Sequence, residues 1–397
     1  KKHYQKREKI FCNVLQAARL QQKGIMIMKF TCNRSVLAEA VNNVSPAVSS
    51  KSALSALEGI LLQCNGSNLS LTGYNLELGI TKVINVEAKE EGSIILPARL
   101  LADILNKSAE GDISFSTDEK NLTVINGNTS EFTILGIDAK EYPEMPTVAE
   151  ENKFSLPVGL LRNMISQTIF AVAVSDQVPI TTGTLFDISD NRLNMVSVDG
   201  CRLAMRKEQV KVDGHFYFVV PGKTLSEIQK LLARLVGEDE EETIEFNVSK
   251  KHIIFSVCGY SVVSRLLEGE FLDYKAAIPP EKKTTVKIST REFIKSIDRA
   301  SIIITDKVKS HIKCAFVENN VNVSCVTTIG KVNDNLTAEM TGEDVTIGFN
   351  NKFMTDALKA SECDEVLIEL NGPLSPMKIV PIEGDSFLFL VFPVRLK

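Results

Sequence analysis

"KFTCNRSVLAEAV" (Lys29–Val41) decides the fold, because the chain uses its pattern three times. "KFSLPVGLLRNMI" (Lys153–Ile165) and "VKISTREFIKSID" (Val286–Asp298) follow at spacings of 124 and 134 residues, from Lys29 to Lys153 and Lys153 to Lys287. Each opens on the apolar/polar alternation of a half-buried strand, then crosses a polar or proline break into helical spacing. A second set keeps step: "IILPARLLADIL" contains Pro97, "FVVPGKTLSEIQKLL" contains Pro221, and "TIGFNNKFMTDAL" has Phe349 at the equivalent point. These predict a second strand-break-helix unit in each copy, with Leu100, Leu101, Ile104 and Leu105 on one face, and likewise Leu225, Ile228, Leu231 and Leu232.

Between the two helices of each copy lie strand pairs around tight polar or glycine turns, at Asn68–Val86, Arg192–Val210 and Asn322–Met340. Further strand-like runs follow the second helix. Each copy is therefore about eight strands and two helices, an α+β domain of ordinary size. The proline-bearing links "DAKEYPEMPTVAEEN" and "FLDYKAAIPPEKK" place the boundaries at 28–148, 149–279 and 280–397. Residues 1–27 are basic, have no small-residue cleavage site, and are expected to be an upstream extension or an expression remnant. Periods this long do not describe a solenoid; stacked modules, an unlinked array and a closed pseudo-symmetric object all remain open.

At 44% hydrophobic residues and mean hydropathy +0.03, the composition is that of a globular chain. The most apolar run, "SFLFLVFPV" (Ser386–Val394), is half the length of a membrane helix and suits a buried strand. Eight cysteines include no CxxC pair and read as small buried hydrophobes of a reducing, cytoplasmic compartment. The chain is acidic overall, 45 Lys+Arg against 50 Asp+Glu. The six helical segments reverse this, with twelve basic residues and six acids (Arg34, Arg99, Lys107, Arg162, Lys223, Lys230, Arg234, Arg291, Lys295, Arg299, Lys352 and Lys359 against Glu39, Asp103, Glu227, Glu292, Asp298 and Asp356). Basic helices on an acidic body point to a polyanion approached from one side; ordinary solvated helix faces are the plainer alternative. No zinc spacing and no base-reading cluster is present, so attraction to duplex DNA would be independent of sequence and sensitive to salt.

Chemistry finds little purchase. The four histidines (His3, His215, His252, His311) have neither metal-ligand spacing nor a nucleophile beside them, and no GxGxxG, GxxxxGK[ST] or GxSxG occurs. Neither metal nor cofactor is expected. "VDG" (Val198–Gly200) reads as a turn between strands, and Cys201 beside it as a packed thiol.

"VDGCRLA" (Val198–Ala204), "EFLDYKAAIP" (Glu270–Pro279), "LTGYNLELGI", "LPARLLADIL" and "FLVFPVRL" resemble, in order and spacing, the beta subunit of bacterial DNA polymerase III, the sliding-clamp family. The resemblance covers about Met28 to Lys397. It implies a DNA-clamp fold, a homodimer closed head to tail into a ring, helices lining the hole, and a non-enzymatic role. The ring would encircle duplex DNA and tether the replicative polymerase for processivity after a separate ATP-driven clamp loader had opened it. The family's partner groove accepts a short extended peptide from the polymerase catalytic subunit and other replication and repair proteins. Carried over by motif, it would use Thr181, Val198, Gly200, Arg202, Leu203, Leu272, Ala276, Ala277, Ile297, Leu390, Val391, Phe392, Pro393, Val394, Arg395 and Leu396. Arg202 and Arg395 would serve polar or carboxylate groups of that peptide, and only alternate residues of the last strand could face the groove. DNA contacts would fall to Lys51, Arg99 and Lys223, and the subunit contact to Phe132 and Ile134. This chain departs from the family at Cys201, where His is frequent, and at Leu272 and Ala276, where proline and a basic residue are usual; the aromatic residues expected near Pro179 and Ile180 are absent. A peptide-binding scaffold that never encircles DNA is the rival reading, followed by a hydrolase with an unrecognised site.

Overall fold

The computed structural model describes residues 26–148, 152–175, 177–212, 214–237, 241–305 and 310–396. His3, Cys12 and nearly all of the expected upstream extension lie outside them. Met26 and Ile27 already belong to the first strand.

The described chain runs three times through one order of elements. The first copy comprises β1 (Met26–Asn33), α1 (Arg34–Val44), β2 (Gly59–Asn65), β3 (Asn68–Tyr74), β4 (Leu78–Asn85), β5 (Glu87–Glu90), β6 (Gly92–Pro97), α2 (Ala98–Lys107), β7 (Asp112–Asp118), β8 (Leu122–Asn126) and β9 (Glu131–Leu135). The second comprises β10 (Lys153–Pro157), α3 (Val158–Ser166), β11 (Gly183–Ser189), β12 (Arg192–Val198), β13 (Arg202–Gln209), β14 (Phe216–Pro221), α4 (Gly222–Leu235), β15 (Thr243–Val248), β16 (His252–Val257) and β17 (Tyr260–Arg265). The third comprises β18 (Thr284–Ser289), α5 (Thr290–Ser301), β19 (Ile312–Val317), β20 (Asn320–Thr327), β21 (Gly330–Thr337), β22 (Glu339–Gly342), β23 (Val345–Phe349), α6 (Asn351–Ala360), β24 (Glu365–Leu370), β25 (Met377–Val380) and β26 (Phe387–Val391). The described copies thus hold nine, eight and nine strands, the second lacking a counterpart of the short β5 and β22.

Two compact units contain these copies. Of the described residues, one holds those up to Thr147 together with Cys258–Val263, the other those of Val148–Val257 and from Ser264 onward. In the first unit one sheet has the order β5-β1-β7-β8-β9, and a hairpin set runs β6-β2-β3-β4. In the second unit β14-β11-β12-β13 and β23-β19-β20-β21 repeat the hairpin set, while β22-β18-β24-β25-β26 repeats the first sheet. Every described strand pairing is antiparallel, as hairpin connections of a few residues require.

The helices start where the breaks in the sequence place them. Asn33, Ser289 and Asn350 accept backbone hydrogen bonds as N-caps of α1, α5 and α6, whereas Pro97, Pro157 and Pro221 precede α2, α3 and α4 with no side-chain cap. Asn350 accepts from Lys352 N at 2.9 Å and Phe353 N at 3.3 Å. Asn350→Ala is therefore expected to lower stability by about 1 kcal/mol, read as a shift of the urea midpoint with unchanged slope.

Packing follows the apolar stripes. In α2, Leu101, Ile104 and Leu105 are buried with Ala98, but Leu100 is 44% exposed, contrary to the expected face. At 100° per residue, Leu100 turns away from a stripe centred on Leu101 and Ile104. Ring stacks close the cores: Phe30 on Phe115 at 4.9 Å, Phe154 on Phe246 at 4.5 Å, Phe387 on Phe389 at 4.8 Å. Each buried phenylalanine contributes roughly 1.5–3 kcal/mol by leaving water. Cys32, Cys64, Cys314 and Cys325 are buried, and burial pushes the Cys32 and Cys314 thiols up to about 12, which leaves them unreactive. Cys201 is exposed, against the expectation of a packed thiol, because it sits at the tip of the β12–β13 turn. Among the described residues no helix is long and apolar enough to cross a membrane.

Candidate functional site

One strand pair carries a sheet from one copy of the second unit into the next. β13 of the second copy lies antiparallel to β26 of the third, Arg202 opposite Val391 and Arg206 opposite Phe387, so one sheet continues through both. The two faces of that seam do different things. Phe387, Phe389 and Val391 point into the core of the third copy. Leu388 and Leu390 point the other way, into a separate apolar cluster with Ile180, Val198, Leu203, Met205, Phe271 and Tyr274, flanked by half-buried Ala277, Ile278 and Phe392. The period of two along β26 sorts its residues between two apolar clusters, the second of which borders the expected groove.

The turn that opens the groove is built by its aspartate. Asp199 Oδ1 accepts from Cys201 N at 2.9 Å and Arg202 N at 3.0 Å, and Gly200 takes φ +86° with nothing near a would-be Cβ. The turn then grips the chain end: Phe392 N donates to Cys201 O at 3.0 Å. Two residues on, Val394 N donates to Gly348 O at 2.8 Å. Gly348 has to be glycine, since a Cβ there would stand 2.6 Å from Leu396 Cδ2 and 2.9 Å from Val394 O. Beside this tail is a pocket of about 480 Å³ lined by Gly348, Leu374, Pro393, Val394, Arg395 and Leu396 among others.

Of the sixteen groove residues expected from the sequence, the structure gathers most. Val198, Leu203, Ala277, Leu390 and Phe392 form the apolar cluster; Thr181 is buried in the turn beside Ile180, its hydroxyl donating to Val178 O at 2.8 Å. Gly200, Leu272 and Ala276 are exposed, with Leu272 at 48%. Pro393, Val394, Arg395 and Leu396 lie along the pocket beside the tail.

Three residues are placed differently. Ile297 on the inner side of α5 and Val391 are buried in the core of the third copy, on the opposite side of the seam from the cluster of Leu203 and Leu390, which are equally buried. Arg202 is only 7% exposed, with Nε donating to Asp199 Oδ2 at 2.9 Å and Nη1 to Asp356 Oδ2 at 2.6 Å. Its guanidinium lies 4.5 Å from the Phe353 ring centroid and 5.6 Å from that of Phe170. It is committed to the protein rather than reaching out to a ligand: it ties the turn of the second copy to α6 of the third. Ile180, Met205 and Tyr274 were missed. Each neighbours or alternates with a chosen residue, and the signal was period-two spacing from Leu203 to Met205 and the Tyr of "LDYKAAI".

The helix cations separate into two groups. Lys230 pairs with Glu227, Lys295 with Glu292, and Arg299 with Asp334 at 2.6 Å, which holds the Asp334 carboxyl below its usual range. Arg34 approaches Glu110 at 3.9 Å. The side chains of Arg99, Lys107, Arg162, Lys223, Arg291, Lys352 and Lys359 make no ion pair within the described structure. Arg99, Lys223 and Lys352 are exposed and each is the second residue of its copy's second helix, α2, α4 and α6. A cation in a helix's first turn opposes the macrodipole by about 0.3–1 kcal/mol, so the threefold placement does not serve helix stability. Lys352 was counted among the basic residues but not chosen; its place in the repeat was the available signal. Lys51 is exposed in the segment between α1 and β2. Phe132 is half-buried and Ile134 buried on β9, an edge strand of its sheet.

The described histidines lie apart. His215 and His311 are exposed, and burial lowers the pKa of His252 on β16. Among the described residues no cluster of His, Cys, Asp or Glu could hold a metal.

Known proteins match along nearly the whole chain. Models of the DNA polymerase III beta subunit match its N-terminal domain at residues 28–146, its central domain at 155–273 and its C-terminal domain at 275–395. The beta sliding clamp of Halalkalibacterium halodurans is 34% identical over 383 residues, 93% of this chain and all of that protein; that of Bacillus subtilis is 32% identical over 381 residues, with the same coverage. The B. subtilis sliding-clamp crystal structure superposes with TM-score 0.89 at 31% identity, covering 93% of this chain and all of that one. A Bartonella birtlesii sliding clamp solved bound to griselimycin gives TM-score 0.88 at 26% identity, again covering 93% of this chain and all of that one. Three repeats of one α+β domain, each aligned to its own family model in order, make this chain a member of the DNA polymerase III beta subunit family, the beta sliding clamps.

Proposed function

We propose that two copies of this chain close head to tail into a ring around duplex DNA and act there, without catalysis, as the polymerase's sliding tether. The observation that carries the ring is a pair of unused edges. The seam within the second unit joins the last hairpin strand of one copy, β13, to the last strand of the next, β26. By repeat position, β21 of the third copy corresponds to β13, and β9 of the first copy to β26. Both are sheet edges. A second chain offering β9 to β21 would repeat the existing seam, and a heterologous contact whose rotation closes makes a ring rather than a fibre. Phe132 and Ile134 would sit at that contact.

Arg99, Lys223 and Lys352, with Lys51, would face the phosphates. Their attraction is long-ranged and blind to base sequence, which lets a ring slide. The apolar groove between β13, β26 and the 271–278 segment would take a short extended peptide from the polymerase catalytic subunit, the ATP-driven clamp loader or other replication and repair proteins. The setting is the cytoplasm.

The test is retention on circular and linearised DNA, after loading, in raised salt. Retention on circles with loss from linear ends supports topological linkage. Equal, salt-sensitive loss from both would leave a peptide-binding scaffold that does not encircle DNA.

A further inference from the structure

A second pocket adjoins the groove. It measures about 450 Å³, and its apolar wall is Met205, Tyr274 and Ile278, the same side chains that line one end of the groove cluster. Its polar rim carries Arg192, Lys207 and Lys275 against a single lining acid, Asp190. Lys207 is paired with Asp385 at 3.0 Å. Arg192 and Lys275 are exposed and form no ion pair within the described structure; Arg192 is near enough to Asp385 to help hold its carboxyl below the usual range, and Lys275 Nζ rests 5.6 Å from the Tyr274 ring centroid. Of the neighbouring acids, Asp187 is buried and accepts the Tyr274 hydroxyl at 2.8 Å, and Asp273 is exposed outside the lining.

We infer that this pocket receives an acidic side chain of the same partner segment whose apolar anchors enter the groove. Resting on the peptide reading above, it names the flanking chemistry that selects among partners. Continuity of the wall through Met205, Tyr274 and Ile278 means a chain leaving the groove passes directly over the rim. Two exposed cations that form no ion pair there favour a carboxylate over an amide or an ammonium. Ala276 makes the neighbouring wall small and uncharged, so the selecting charge comes from Arg192 and Lys275 instead.

The test uses short synthetic peptides that share two large apolar anchors and differ in an adjoining Asp-Asp or Asn-Asn pair, placed before or after the anchors. Their binding to the full chain is followed by fluorescence anisotropy. In low salt the better-placed Asp-Asp peptide should bind about fivefold more tightly than its Asn-Asn twin. That advantage should vanish in high salt and in the Arg192→Gln/Lys275→Gln variant, which should leave the Asn-Asn affinity unchanged. Equal binding of the twins, or an advantage that survives the double variant, overturns the inference. So does the absence of any advantage while a single-stranded oligonucleotide binds the native chain and not the variant, since the cations would then serve phosphates. Phe392→Ala separates the two readings. If it leaves Asp-Asp binding intact while Arg192→Gln/Lys275→Gln removes the advantage, the groove is wrong and the acidic pocket stands. If no peptide binds the native chain, both fall.

Discussion

Arg202→Met is expected to destabilise the second unit by about 3–5 kcal/mol, because it leaves Asp199 and Asp356 as poorly hydrated charges without their partner. The side chains of these two acids are only 13% and 28% exposed, so water replaces little of what the guanidinium supplied. The loss should appear in urea as an early transition, with the first unit unfolding separately, since a chain of two compact units need not melt in one step. Asp356→Asn in the same background should add much less than it does alone, the mark of a shared interaction. Arg202→Lys should fall between, keeping the charge but losing the fork that spans both carboxylates and the face laid on Phe353. A loss below about 1 kcal/mol for Arg202→Met would mean the pair breaks even against its desolvation, and the joint would then rest on the β13–β26 ladder with the Asn163 and Ser166 bonds to Glu362 and the Lys207–Asp385 pair. Where the loss is large, anchor peptides should also bind less well, since the same arginine steadies the turn whose Cys201 carbonyl holds Phe392.

Neutralising Arg99, Lys223 and Lys352 together, each to Gln, should flatten the salt dependence of direct DNA association. Three phosphate contacts release counterions worth a slope of about 0.9 each, so the slope of log K against log salt should fall by about 2.7 per chain, and affinity near 0.1 M salt by roughly two to three orders of magnitude. Folding should be untouched or slightly improved, because each side chain is exposed and stands against its helix dipole. Retention on circular DNA after loading should survive, since linkage does not depend on attraction. An unchanged slope would show that these positions do not meet phosphates, and the basic helices would return to being solvated faces.

Much of this was legible in residue order. The breaks at Asn33, Pro97, Pro157, Pro221, Ser289 and Asn350 placed the starts of α1 to α6, because capping and proline chemistry act within a few residues. The alternation of "SFLFLVFPV" announced a strand with two different faces. It did not say which face met the groove, and Val391 was assigned wrongly for that reason. Ile297 was misassigned for a related one: an apolar residue on an amphipathic helix looks alike from the sequence whether it faces a core or a ligand. Arg202 shows the longest reach. Its second carboxylate, Asp356, lies 154 residues away, and nothing local to "VDGCRLA" foretells it.

Residue order therefore settles the threefold repeat, the α+β class, the turn chemistry of Asp199 and Gly200, and the concentration of positive charge on helices. Each is a property of short-range periodicity or of side-chain type. Tertiary structure alone decides which strand neighbours which, which side of β26 becomes core, which helix cations stay unpaired, and whether an arginine reaches outward or locks two copies together. Those outcomes depend on groups far apart in sequence arriving at one place. Only there do burial and charge choose between partners.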